Sequence, residues 1–188
     1  GGVILKFSSE KVAFGRHETF HLRFSWLSKG FAAFQRNNKL FDDIDSATVT
    51  LGVGKNMVTA IRYWMRAAKV MDPLSDKPTE LGQYLFDGEV GQDPFLEDPG
   101  TLWVVHWLLA SNTELSTAIA WFFSKYHKPN FDQNELRAAF STYLQEEVKA
   151  NRRPASATLK NDISVITRLY AKTNGAVLAE DALDSPLS

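Results

Sequence analysis

The sequence predicts a mainly α-helical fold in two parts, and three observations predict it. Apolar residues recur at three- and four-residue steps along most of the chain, the spacing of a helix face. Gly52-Val53-Gly54 interrupts that pattern between two helical stretches, and a turn-rich segment and a closing helix follow. Leu102 to Leu109 is apolar all round, the mark of a central buried helix. Helix, glycine turn, helix, turn-rich segment, helix is the order of a winged helix-turn-helix. The expected architecture is therefore an N-terminal winged helix-turn-helix packed on a C-terminal helical subdomain.

Residues 1–14 read as an extended lead-in, with Val3-Ile4-Leu5 and Val12-Ala13-Phe14 as short strand candidates. From about Glu18 the pattern turns helical: Leu22, Trp26, Gly30, Phe31 and Phe34 share one face, and the helix should end near Asn37-Asn38. Asp42, Asp43 and Asp45 precede a short helix, Ser46 to Leu51, because carboxylates favour a helix start. A third helix runs from Lys55 or Asn56 to about Lys69, with Val58, Ile61, Met65 and Ala68 as its apolar face. Asp72 to Pro78 is rich in turn residues, and Thr79 can cap a short helix through Phe86.

Residues 87–100 form an acidic loop and mark the boundary between residues 1–90, the winged part, and 91–172, the helical subdomain. Asp98 caps the next helix and Pro99 suits its first position. Ser111-Asn112-Thr113-Glu114 matches a capping box for a helix to about Tyr126. Two amphipathic helices follow, about Asp132 to Ala150 and about Ala155 to Lys172. Residues 173–188 read as a loose tail leading toward a further C-terminal region.

A chain of 188 residues can bury a full core without staples. The absence of cysteine excludes disulfides, thiol catalysis and thiolate metal sites, and fits a cytoplasmic protein. No segment reaches the length of an apolar membrane span. The opening Gly1-Gly2-Val3 carries no signal-peptide pattern and reads as an internal start, so a fragment of a longer protein is expected. Charge is unevenly placed. Residues 1–71 carry 11 Lys and Arg against 5 Asp and Glu, whereas residues 72–100 carry 1 against 8. A basic first third suggests a face that binds a polyanion.

The third helix carries the most informative constellation. Lys55, Thr59, Arg62, Arg66 and Lys69 fall at steps of four, three, four and three, opposite the apolar face. Such a stripe suits a recognition helix, which neutralises phosphates and reaches base edges from one side. Asn56 sits at the helix start, nearest the bases. The competing reading is a solvated basic face in a protein-docking module. Arg152 and Arg153, with Lys160 and Arg168 on the last helix, form a second basic group that suits either a DNA edge or a solvated face.

His17-Glu18-Thr19-Phe20-His21 matches the H-E-x-x-H string of zinc proteases, but no third ligand is evident and the string lies at a helix start. In one alternative, Glu18 and Thr19 cap the helix and the histidines meet nearby carboxylates. In another, Arg16, His17 and Glu18 form a nuclease-type cluster: Arg16 holds a phosphate, His17 moves a proton and Glu18 binds a divalent cation such as Mg²⁺ or Mn²⁺. His106, alone on an apolar helix, reads as a core histidine with a hydrogen-bond partner. There is no Walker loop, dinucleotide fingerprint or G-x-S-x-G elbow.

Three strings occur together: Phe14 to Phe20, Leu51 to Val58 with Ile61-Arg62-Tyr63-Trp64, and Glu97 to Trp103. In this order and spacing the chain, over about residues 14–186, resembles a bacterial family of unknown function, the SspB-like proteins of DNA phosphorothioation operons in the Ssp phage-defence systems. The resemblance implies binding to double-stranded DNA, a part in sulfur modification of its backbone, and nicking of one strand. It also implies partners: an ATPase, a sulfur-transfer protein and a cysteine desulfurase. Proline is common in that family at the position of His21, which speaks against a zinc role there. A metal-dependent DNA nicking endonuclease, with a homodimer among its expected assemblies, is the leading reading. A non-enzymatic winged-helix regulator or docking adaptor is the competing one.

Overall fold

The computed structural model describes residues 4–170 except 127 and 129. It is mainly α-helical, with helices α1 Ser25–Arg36, α2 Ile44–Leu51, α3 Lys55–Ala67, α4 Glu80–Phe86, α5 Pro99–Ser111, α6 Thr117–Trp121, α7 Gln133–Glu147 and α8 Ser156–Tyr170. A π-helical turn, Phe122–Tyr126, extends α6, and a 3₁₀ turn, Ala150–Arg152, precedes α8. The expected tail, residues 173–188, lies outside the described residues.

Among the described residues, side-chain caps set four of the eight α-helix starts. Asp43 accepts the Asp45 and Ser46 N–H groups at the head of α2, Asp98 that of Gly100 at α5, and Asp132 those of Asn134 and Glu135 at α7. Thr79 does two jobs: its Oγ1 accepts the Gly82 N–H and donates to the Lys69 carbonyl, fastening α4 to the chain just past α3. Gly52, at φ 67°, ends α2 in the left-handed conformation that glycine adopts most cheaply.

Helices α1, α2 and α3 pack on one another around Trp64, Phe31, Phe34 and Ile61, all at most 2% exposed. Each such side chain contributes about 1.5–3 kcal/mol through burial. α1 approaches α3 closely at Gly30, where a Cβ would meet Met65 Sδ at 2.7 Å. α3 is tied to the second half of the chain by Tyr63, which donates to the Leu115 carbonyl at 2.7 Å, and by Asn112, which donates to the Ala67 carbonyl at 2.9 Å. The core runs without a break from Leu22 to Leu169.

Several expectations need correction. The first helix begins at Ser25, not near Glu18, because residues 18 and 19 hold left-handed backbone that no helix tolerates. Among the described residues there is no strand, so the candidates at residues 4–5 and 12–14 are irregular and no strand pair forms a wing. The segment between α3 and α4 is a turn closed by a single bridge, Met71 to Pro78. The capping box at Ser111 does not form: Asn112 Oδ1 accepts the Leu115 N–H, and the helix starts at Thr117. α5 is not buried all round, since Trp103, Val104 and Trp107 are 50%, 40% and 61% exposed.

Candidate nucleic-acid interface

The turn ahead of α1 is built on positive φ angles: Gly15 at 68°, Glu18 at 51° and Thr19 at 69°. They fold the chain so that His17 points inward and Arg16 and Glu18 outward. His17 is 3% exposed and stacks on Trp64 at 6.0 Å between ring centroids. The Thr19 N–H donates to His17 Nδ1, so Nε2 carries the proton that faces Asp162 Oδ1 at 2.7 Å. The Gly15 N–H donates to the same Asp162 oxygen at 3.1 Å. The H-E-x-x-H string thus occupies a turn and an irregular segment, without the helical i, i+4 spacing that would align two histidines on a metal.

As a partner for His17, Asp162 escaped the sequence reading, in which it is one of several polar groups on the last helix that form no recognisable triad. A signal was present: it lies at helical spacing among Leu159, Ile163 and Ile166, so a carboxylate sits on a buried stripe and must find a partner. Its Oδ2 is buried with no hydrogen-bond partner among the described residues, and Asp162 lines a small cavity of about 10 Å³ with Ser116 and Thr117.

On α3, Lys55 is exposed and Thr59, Arg62 and Arg66 are half-buried on the side away from Val58, Ile61 and Met65, but the helix ends at Ala67, short of the expected Lys69, and the exposed Lys69 follows it in left-handed backbone. Its charges are partly matched from the turn 72–77. Arg62 and Arg66 both bind Asp76, Arg66 through Nε at 2.8 Å. Burial alone would raise the Asp76 carboxyl, but the hydrogen bonds and charges of the two arginines outweigh it and hold it below the usual range. Lys55 pairs with Asp45 at 2.7 Å, which raises its ammonium pKa. Asn56 is exposed at the α3 start and lines a shallow groove with Phe20 and Met57. Thr59 Oγ1 donates to the Lys55 carbonyl of its own helix.

Arg16 joins this face. It lines a cleft of about 600 Å³ together with Arg66 and Lys69, a meeting that no local spacing announces. The C-terminal basic group divides. Arg153 is committed to the end of α7, donating to the carbonyls of Leu144, Gln145 and Val148. Arg152, Lys160 and Arg168 are exposed.

His106 has the partner expected of it: Nδ1 lies 2.9 Å from the Tyr170 hydroxyl, and burial lowers its pKa. Among the described residues no group of three or more His, Asp or Glu side chains could hold a metal ion. Glu18 stands exposed on its turn, and Asp162 Oδ1 is already used by His17 and Gly15. Among the described residues no helix is long and apolar enough to cross a membrane.

Fold and surface together define a helical protein with a three-helix N-terminal unit, a basic α3 face and a cationic cleft beside it. The chain belongs to the family described as protein of unknown function (DUF4007), which matches residues 14–188. It is similar to two solved structures. One, an SspB crystal structure, is 31% identical with a TM-score of 0.73, over 94% of this chain and 56% of that one. The other, a magnesium ion-bound SspB crystal structure, is 34% identical with a TM-score of 0.74, over 95% of this chain and 55% of that one. The chain thus spans little more than half the length of the structures it matches. No curated protein matches it.

Proposed function

We propose that this chain is the DNA-binding part of a component of a bacterial DNA phosphorothioation and phage-defence system, whose whole protein nicks one DNA strand to admit sulfur. The observation that carries the reading is the α3 face, where Lys55, Arg62 and Arg66 lie in one stripe, with Lys69 just past the helix end and Arg16 beside it in one cleft. α3 serves as the recognition helix of a winged-helix variant in which the turn 72–77 takes the place of the wing. Lys69 and Lys55 meet phosphates, Arg62 and Arg66 arrive with guanidinium groups already oriented by Asp76, and Asn56 and Thr59 lie nearest the base edges. Arg16 and Glu18 are the outward members of the turn that His17 anchors. Arg152, Lys160 and Arg168 offer a second edge. The likeness to SspB supports the choice of system, with an ATPase and a sulfur-transfer protein as partners.

Incubation with supercoiled plasmid, with and without Mg²⁺ or Mn²⁺, tests this. Retarded plasmid whose affinity falls steeply with salt is the expected result. Open-circle product that requires the metal would put the nicking within these 188 residues. Plasmid neither shifted nor cut at low salt would overturn the reading. A second reading, a docking module for the partner proteins, is favoured by the exposed Trp103, Val104 and Trp107 on α5.

A further inference from the structure

We infer that the cleft between the Arg16 turn, the end of α3 and the α5–α6 connection is a nucleotide pocket that takes one unpaired nucleotide of the bound DNA. This rests on the DNA-binding reading and specifies one subsite of it. The cleft has about 600 Å³, within the range of small-ligand sites and ample for a nucleoside monophosphate. Its lining divides by chemistry. Arg16, Arg66 and Lys69 supply cations, and Leu74 and the half-buried Leu115 supply apolar surface. A phosphate with a flat apolar body satisfies both halves, whereas a bare duplex backbone satisfies only the first.

The cations are prepared for such a ligand. Arg66 is held in place by Asp76, so its donors point in a fixed direction. Arg16 and Lys69 are exposed and make no ion pair among the described residues. Lys69, at φ 59°, is the left-handed residue that closes α3, where its N–H donates to the Arg66 carbonyl and the Val70 N–H to that of Met65. Asp72 and Glu114 also line the cleft and oppose a second phosphate, and although Asp72 Oδ1 is taken by the Leu74 and Ser75 N–H groups, its Oδ2 and the Glu114 carboxylate can accept hydrogen bonds from an exocyclic amine of a base.

The test titrates the 188-residue chain, labelled with ¹⁵N, with deoxycytidine monophosphate, with inorganic phosphate and with deoxycytidine. The monophosphate should shift the amides of Lys69, Leu74 and Leu115 and bind about tenfold more tightly than either fragment. Arg16→Ala and Leu74→Glu should each weaken it by about tenfold. Leu74 is 95% exposed, so that variant keeps its fold. Equal affinity for inorganic phosphate and the monophosphate would overturn the nucleotide pocket, and so would shifts confined to residues outside the cleft or no binding at all. Plasmid retardation read in parallel separates the two claims. A chain that retards plasmid but does not bind the monophosphate loses only the pocket. One that binds the monophosphate but leaves plasmid free loses the DNA-binding reading, and with it the assignment of the occupant to DNA.

Discussion

Nε2 of His17 lies 2.7 Å from Oδ1 of Asp162 and joins the turn before α1 to the middle of α8. Both side chains are about 95% buried, so removing one partner strands the other in a medium that cannot solvate it. His17→Ala should therefore destabilise the fold by about 3–5 kcal/mol. Asp162→Asn should cost less, because an amide oxygen still accepts from His17 and Gly15. Urea unfolding measures both. If His17 is an anchor, DNA affinity per folded molecule stays within twofold of the parent in Asp162→Asn. Cutting lost from a His17 variant that folds and binds normally would give the ring a catalytic role instead.

Asp76 restrains the basic face. Asp76→Asn removes a carboxylate shared by Arg62 and Arg66, so DNA affinity at low salt should rise several-fold and the salt slope should steepen by about one. Stability should fall by only about 1 kcal/mol, because these groups are partly open to screening water. The acid limb of stability should change as well. The folded carboxyl titrates below its ordinary 3.8, so its contribution is complete above about pH 4 and is lost as pH falls through the lower folded value. Urea midpoints at pH 5 and pH 3 should converge more in Asp76→Asn than in the parent. Identical convergence would show that the ion pair adds nothing to the fold.

What the sequence revealed divides along range. The caps at Thr79 and Asp98, and the acidic start of α2, were legible because a helix start is decided within four residues. The start of α1 was not. Leu22 and Phe24 are buried from an irregular approach, which mimics helical spacing for one turn. Counting charge by segment set a basic third against an acidic connector, yet the fold brings Asp76 of that connector onto Arg62 and Arg66. Asp162 lies 145 residues from His17, and only its place on a buried stripe hinted at a distant partner. The apolar character of α5 was read correctly but not its exposure, since hydropathy does not tell a core face from one that awaits a partner.

The arginines and lysines of the C-terminal basic group should separate by role. Arg153 donates to three carbonyls at the end of α7, so Arg153→Ala should cost about 1–2 kcal/mol without altering the salt dependence of DNA binding. Lys160 and Arg168 are exposed on α8. Replacing both with alanine should leave the thermal midpoint in place and lower the salt slope by about two if α8 is a DNA edge. An unchanged slope would make α8 a solvated face.

Gly15 and Gly52 both hold left-handed backbone, at φ 68° and 67°, but they stand in different surroundings. Nothing lies within 4 Å of a Cβ built on Gly52, so Gly52→Ala should cost only the conformational strain of about 1–2 kcal/mol. A Cβ on Gly15 would lie 2.5 Å from Thr158 Cγ2 on α8, adding a steric term to the same strain. Gly15→Ala should therefore cost roughly 2–5 kcal/mol. It should also weaken anion binding at the neighbouring Arg16, because the turn must move away from α8 and from Asp162, the acceptor of the Gly15 N–H. Thr158→Ala removes the methyl group that blocks the space. The Gly15→Ala/Thr158→Ala pair should then recover the steric part and retain the strain, a coupling that denaturant unfolding of the four proteins in the cycle measures directly. Additive losses would mean that the turn and α8 are not in the close contact on which the placement of Arg16 depends.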